Sequence, residues 1–495
     1  MQRGPPRIVS SWGNVARGEH HVYGFRSRFE DFPDIPGEST ILPFGNGRSY
    51  GDSCLNVGGA LLETRFLDRF IRFDADQGIL GCEAGVQLAD ILRVVVPAGW
   101  LPCVLPGTQY VTVGGAIAND VHGKNHHRAG TFGCHVTRFE LLRPDGERMS
   151  CSAQETPDWF AATIGGLGLT GLVTWAEMRL RRVAGPWLDV ESIRCADLHE
   201  LLELSMESAK DFEYTVAWVD CLAQGRRLGR GIVQRANHAG SGATGRRPAA
   251  GAGFAVPFAP PVSVVNSATL GLCNAGHYQR RARRTRTVEH YQRFFFPLDG
   301  IRHWNRLYGP RGFHQYQCLI PGESAAESVR RLLGAIAAAG EGSLLAVLKC
   351  FGDRASPGLL SFPRSGITLA LDFPNRGAAL AALFERLDAI VAQSGGRLYP
   401  AKDARMPGDL FRAGYPRHGE FLRFTNPRCS SSFCARTGSV CRVRRRKHPT
   451  GSPPRSAAWA SRASSHGRRC DCGGWPDRGW TSSRSGAPTW TSCSS

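Results

Sequence analysis

No run of about eighteen uninterrupted apolar residues occurs in this 495-residue chain, which argues against a membrane-spanning helix. The opening residues, MQRGPPRIVSSWGNV, lack the apolar core of a secretory signal. The expectation is a cytoplasmic or peripheral membrane protein, with the periplasmic side left open. The ten cysteines before residue 429 include no CxxC pair, which fits reduced structural thiols better than a disulfide framework. HGKNHH at 122–127 is not a zinc spacing, so no metal is expected. Acidic residues are few, 42 against 61 Lys and Arg, for a net charge of +19. That balance invites a nucleic-acid reading, but its distribution argues against one. From Cys429 onward twelve Lys and Arg face two Asp, so about half of the excess sits in the last stretch.

What is present is ordinary globular composition, 42% hydrophobic and 21% charged, enough for two or three domains at roughly 150 residues each. Residues 8–185 read as α/β structure. Gln87–Pro97 has helical spacing with Ala89, Leu92 and Val96 on one side, and Phe139–Leu142 reads as a strand. Residues 186–398 read as a layer of helices on an antiparallel sheet, with 399–424 returning to the first domain. Helices are expected at Leu198–Ala209, Ser324–Ala339 and Arg376–Ser394, and strands at Tyr214–Asp220, Tyr316–Ile320 and Leu344–Phe351.

A mobile insert is expected near 239–287. Its apolar part, Gly253–Ala268, is broken by Pro257, Pro260 and Pro261, and the basic cluster Gln279–Arg286 follows. Such a pairing suits a lipid surface, a greasy entrance or an ordinary surface loop. Residues 425–495 lose hydrophobic periodicity and read as an aberrant, disordered tail, as a translated frame error would. Arg442–Lys447 and Cys470/Cys472 have no fold or ligand spacing around them that supports nucleic-acid or metal binding.

Three glycine-rich stations carry the chemistry. In Pro43–Asp52 (PFGNGRSYGD) the glycines let backbone N–H groups approach a phosphate chain, but the spacing is not the Rossmann fingerprint. In Leu105–His127 the small residues Gly114, Gly115, Ala116 and Ala118 leave room for a flat ring or a phosphate chain, and Thr108 and Asn119 offer polar contacts. Ile164–Val173 (IGGLGLTGLV) reads as a further loop of close backbone approach or a plain loop-to-strand connection.

These stations, together with AWVD at 217–220, WNRLYGPRGFHQYQ at 304–317, LKCFG at 348–352, LDFP at 371–374 and GGRLYPAKDAR at 395–405, resemble the vanillyl-alcohol-oxidase-type FAD-linked oxidases. Within them the likeness is closest to the polyprenyl-phosphoryl-ribose 2′-oxidases of actinobacterial arabinan and cell-wall synthesis, and it runs from residue 8 to about 424. The resemblance implies an α+β, two-domain oxidase with a PCMH-type FAD domain and an antiparallel-sheet substrate (cap) domain. It implies oxidation of a polyprenyl-phosphoryl-β-D-ribose at the 2′-hydroxyl, with an NADH-dependent short-chain reductase completing the epimerisation. A soluble alditol or aldonolactone oxidase of the same class is the alternative.

The resemblance also assigns residues. Lys402, His122 and Tyr50 are implied at the reacting end. The cofactor would be held by Gly45, Asn46, Gly47, Arg48, Ser49, Gly107, Thr108, Gly114, Gly115, Ala118, Asn119, Gly123, Asn125, Gly171, Leu172 and Tyr399. The substrate would meet Trp218, Gln315, Gln317, Lys349, Phe351 and Thr368. Tyr50 stands where many relatives carry the histidine that bonds covalently to the flavin, so noncovalent FAD is implied. Three departures stand out: Ala370 where mycobacterial members have the cysteine captured by nitroaromatic inhibitors, Thr368 for asparagine, and Phe295 for tyrosine. Without a thiol, position 370 forms no such adduct.

Overall fold

The computed structural model describes residues 5–35, 39–245 and 254–438. They lie in one compact unit. The basic run 442–447, the Cys470/Cys472 pair and residues 246–253 of the insert fall outside the described residues.

The first third of the chain builds two sheets. Arg7–Ser10, Arg17–Gly24, Ala60–Glu63 and Ile41–Phe44 form a four-stranded sheet in that order, its last three strands parallel. The second sheet is antiparallel, ordered Phe70–Asp74, Ile79–Glu83, Leu172–Arg182, Val136–Leu142 and Arg148–Ser152, with Trp100–Pro102 added along Leu172–Arg182. The helix Leu88–Val95 packs beside it through Leu88, Ile91, Leu92 and Val95. Of the face expected from Ala89, Leu92 and Val96, Leu92 and the C-cap residue Val96 are buried in that core, and Ala89 sits on the half-exposed flank.

An eight-stranded antiparallel sheet uses strands from 187 to 398. Its order is Arg284–His290, Trp187–Cys195, Gly231–His238, Tyr214–Val219, Val347–Phe351, Gly366–Pro374, Phe313–Ile320 and Arg397–Leu398. The expected helices occur at Leu198–Asp211, Ala325–Ala338 and Ala378–Gln393. The first starts where the Asp197 side chain accepts the Glu200 N–H, and its Leu198, Leu201, Leu202, Ser205 and Ser208 follow the 3.6-residue period into the core. Leu332, Leu333, Leu383 and Leu387 of the other two helices join the same core. The strand expected from Leu344 begins only at Val347.

Two expectations are corrected. The described parts of the 239–287 insert are largely built: Ser267–Gln279 is a helix opened by an Asn266 capping box, and Arg284–His290 is an edge strand. The basic cluster is partly neutralised there, because Arg284 and Arg286 both pair with Glu191. The chain also does not lose structure at Phe424. Residues 425–438 pack into the body, with Cys429 bridged to Ile41 and a short helix at Ser432–Thr437 that buries Phe433 and Cys434. Among the described residues no helix is long and apolar enough to cross a membrane.

Candidate active site

The three glycine stations and the eight-stranded sheet meet around a cavity of about 580 Å³. Its first wall follows the strand Ile41–Phe44. Gly47 turns with φ +57°, and a Cβ on Gly45 would stand 2.5 Å from the Thr112 hydroxyl. The backbone N–H groups of Asn46, Gly47, Arg48 and Ser49 donate to no acceptor among the described residues, so this loop offers an anion nest. The Asn46 side chain locks it to the second station by donating to the Tyr110 carbonyl at 2.8 Å and to Gln87 Oε1 at 3.1 Å. The Arg48 guanidinium lies 4.3 Å from the Trp12 ring centre, and burial lowers its pKa against the pull of Asp299.

The second wall is the short helix Val113–Ala118, capped by Thr112, which accepts the Gly115 N–H. Gly114 passes so close to Ala84 that an added Cβ would meet the Ala84 Cβ at 3.1 Å. The helix exits through Asp120, held at φ +40°. Its buried carboxylate accepts from the Gly133 N–H at 2.9 Å and from the Ser356 and Ser361 hydroxyls, each at 2.5 Å. That strained, fully bonded residue sets the path of His122 two positions on. Gly171 and Leu172 of the third station close the wall. A nest of free amides beside glycines whose side chains have no room fits a dinucleotide cofactor.

The opposite end is built by register. Gln315 pairs with Asp372, Gln317 with Ala370, and Lys349 with Thr368, which sets all six on one face of the sheet. Gln317 spends both amide hydrogens inside the protein, donating to His122 Nε2 at 3.1 Å and to Thr368 Oγ1 at 3.3 Å. Its carbonyl oxygen is the group left for a ligand. His122 accepts at Nε2 and therefore carries its proton on Nδ1; burial, reinforced by Lys349, holds its pKa well below the usual value. It is a neutral, hydrogen-bonding wall.

Lys402 lines the cavity with its Nζ 3.9 Å from the Tyr50 ring centre. Burial lowers its pKa to about 7; Asp372 opposes that shift and Lys349 adds to it. Asp372 is 1% exposed and receives the Gln315 amide on Oδ1 at 2.6 Å, while Oδ2 has no partner. Burial raises its pKa to about 7, against the Gln315 bond and Lys402. Gln315 also lies against the Tyr50 hydroxyl. Burial brings two further lysines down, Lys349 to about 8 and Lys124 to about 7; the Lys124 ammonium bonds the Phe294 carbonyl. The site thus holds groups able to take or give a proton near neutrality.

Most of the sequence-derived residues converge here: Tyr50, His122, Lys402, Trp218, Gln315, Gln317, Lys349, Tyr399 and the glycine stations all line the cavity. Three stand behind the wall instead. Asn125 is spent on the Cys103 carbonyl and Glu213, Phe351 packs under the rings of His122 and His126, and Thr368 braces Gln317 and donates to the Cys318 carbonyl. Asp372 and Lys124 were not singled out from sequence, although both lie within quoted motifs. His126 and His127 do not join His122 in a ligand set: His126 packs on Phe351, and His127 bonds the Phe212 carbonyl.

Comparison with known proteins agrees with this geometry. Residues 38–152 match the FAD binding domain family. The fold and the stations therefore define an FAD-dependent oxidoreductase. The chain is 35% identical over 400 residues to decaprenylphosphoryl-β-D-ribose oxidase of Mycolicibacterium smegmatis, covering 78% of this chain and 85% of that protein. It is 37% identical over 351 residues to an uncharacterized protein of Streptomyces coelicolor, covering 68% of this chain and 94% of that one. A shorter likeness, 31% over 152 residues and 29% of each chain, links it to cytokinin dehydrogenase 6 of Oryza sativa subsp. japonica. The chain belongs to the decaprenylphosphoryl-β-D-ribose oxidase family.

Proposed function

We propose that this protein oxidises the 2′-hydroxyl of a polyprenyl-phosphoryl-β-D-ribose to the 2′-keto compound, using noncovalently bound FAD. The observation that carries the reading is Lys402 on the wall of a cavity that also contains the nest at 46–49, with the buried carboxylate of Asp372 acting on it electrostatically from behind that wall. When bound, FAD supplies the hydride acceptor. The chain's own residues do the rest. Neutral Lys402 accepts the hydroxyl proton, the Gln317 carbonyl accepts from a neighbouring sugar hydroxyl, and Lys349 and Lys124 supply positive charge for the phosphate. Residues 8–185 with 399–424 would hold the cofactor, and 186–398 the sugar. A keto product requires a reductase to complete epimerisation toward an arabinose donor for cell-wall arabinan.

Acid precipitation of the purified protein tests the attachment of the cofactor. A flavin band that moves wholly to the supernatant is expected, since the Tyr50 phenol does not form the histidyl link. Yellow colour kept in the pellet would sink the noncovalent reading. Turnover is then tested with a polyprenyl-phosphoryl ribose against an alditol and an aldonolactone.

One surface feature favours the lipid-linked substrate over the soluble alternative. Phe254, Phe258, Val262, Val264 and Leu272 are all exposed, Leu272 at 78%. Phe254–Ala255 pairs with Ile301–Arg302, and Ile301, Arg302 and His303 line the cavity. The helix that carries Leu272 is seated by Leu270 and by Asn274, whose amide bonds Asp220 at 2.8 Å. Arg280 and Arg283, which follow this helix in sequence, and Arg302, paired with Ala255, are exposed and suit anionic headgroups. Vesicles containing anionic lipid are expected to carry the protein upward on flotation. The double change Phe258→Ser and Leu272→Ser is expected to weaken that binding about tenfold or more, at roughly 1.5–3 kcal/mol per buried apolar side chain. Equal flotation of parent and variant would remove membrane contact from the reading.

A further inference from the structure

The segment after Phe424 reaches back to both sides of the first glycine station. Residue 41, which leads into the first glycine station, donates to the Arg428 carbonyl at 2.6 Å and accepts from the Ser430 N–H at 3.1 Å. Beyond that station, the Ser432 N–H donates to the Leu55 carbonyl at 2.6 Å and the Ser432 hydroxyl accepts from the Val57 N–H at 3.2 Å. The contact that joins these threads is Arg436. Its Nε and Nη2 grip both oxygens of Asp52 at 3.0 and 3.1 Å, and Nη2 also reaches Asp403 Oδ2 at 3.4 Å. Its Nη1 donates to the Met406 carbonyl at 2.6 Å.

Asp52 ends the first station, and Asp403 follows Lys402 directly. Both carboxylates are buried, 6% and 7% exposed. The loops they belong to are in backbone contact: the Tyr50 N–H donates to the Ala401 carbonyl at 3.1 Å, and a Cβ on Gly51 would stand 1.7 Å from the Asp403 carbonyl oxygen. Among the ion pairs of the described residues, no other group carries positive charge to both carboxylates. The Asp403 carboxylate in turn caps its own turn, accepting the N–H groups of Arg405 and Met406.

We propose that Arg436 is a positioning residue that holds Tyr50, in the cofactor loop, and Lys402, in the reacting turn, at their mutual distance. A planar guanidinium suits this because it offers parallel donors to Asp52 while keeping others for Asp403 and the 406 carbonyl. It acts through Asp52 and Asp403 and touches neither substrate nor cofactor. The inference rests on the reading of Lys402 as the reacting-end base, and it assigns a working role to a segment whose sequence alone looked unfit to fold.

The test compares full-length parent, Arg436→Gln and Arg436→Lys, each with its flavin bound, by amide hydrogen exchange and by steady-state kinetics. Arg436→Gln is expected to speed exchange about tenfold in 45–54 and 399–406 and to leave the strand Trp187–Cys195 unchanged. In the flavin-saturated protein kcat is expected to fall about tenfold, with KM within about twofold, as a displaced reacting group does. Arg436→Lys, with one point charge for two carboxylates, is expected to fall between. Unchanged exchange and kcat in Arg436→Gln would overturn the proposal, as would faster exchange spread over the whole protein. Should Arg436→Gln fail to fold, Asp52→Asn removes one arm only. It is expected to show the same local pattern at smaller amplitude, and a variant indistinguishable from parent overturns the proposal equally. The exchange result stands independently of the proposed chemistry; a Lys402→Met protein that turns over normally would instead remove the base reading on its own.

Discussion

Lys402→Met is expected to lower kcat/KM by about 10²–10⁴-fold, the range for removing a positioned acid–base group. Methionine keeps the apolar stem and lacks only the terminal amine, so most of the space beside Tyr50 stays filled. The flavin content is expected to be unchanged, because the free amides of Asn46 to Ser49 lie on another wall of the cavity. The parent's pH profile carries the sign of the role. Burial lowers the Lys402 pKa to about 7, so a base role requires kcat/KM to rise through neutrality and level off above it. If Lys402 served instead as a fixed cation, the same titration would make kcat/KM fall as pH rises. A profile that falls through neutrality would sink the base role, and a Lys402→Met protein within about threefold of parent would sink both.

Much of this site was legible because its parts are contiguous in sequence. The nest at 46–49 and the glycines at 114 and 115 each occupy a short stretch whose residue types suggest a use before any fold is known, whereas the Lys402 turn was legible only through the family resemblance of its motif. The helices at 198–211, 325–338 and 378–393 were legible for a related reason, since an apolar stripe at 3.6-residue spacing needs no partner to be recognised. What stayed hidden depends on register or on distant pairing. Asp372 acquires meaning only when Gln315, 57 positions earlier, is placed opposite it. Arg436 pairs with Asp52 across 384 positions. Thr368 was placed against the sugar from its motif. The strand does turn it to the correct face, but Gln317 and the Cys318 carbonyl cover it there. Phe351 and Asn125 were misplaced in the same way, because a motif names a neighbourhood and packing decides which member reaches the cavity. The stretch from 425 to 438 misled for the opposite reason: its composition looks like loop, yet Phe433 and Cys434 join the core, and backbone bonds to Ile41 and Leu55 with one arginine seat the rest.

Lys402 and Asp372 make the most discriminating prediction because its sign follows from their charges: the Asp372 carboxylate opposes the burial shift of Lys402, and Lys349 adds to it. Asp372 is buried, it leaves one carboxylate oxygen without a partner, and its negative charge works against the burial of Lys402. In the parent the two groups titrate together near pH 7, and the acid limb of kcat/KM belongs to the pair. Asp372→Asn keeps the shape and still accepts the Gln315 amide through its carbonyl oxygen, but it removes the charge. Lys402 then faces burial and Lys349 with no opposing anion, so its pKa falls further and more of it is neutral at any given pH. The acid limb is expected to move to lower pH and to sharpen into a single titration. The plateau is expected to drop only about fivefold, since a charge-assisted bond to Gln315 becomes a neutral one, a difference of about 1 kcal/mol. A purely structural carboxylate would lower the plateau and leave the limb where it was. Loss of the limb together with most of the activity would mean that Asp372, and not Lys402, is the group whose deprotonation starts the reaction.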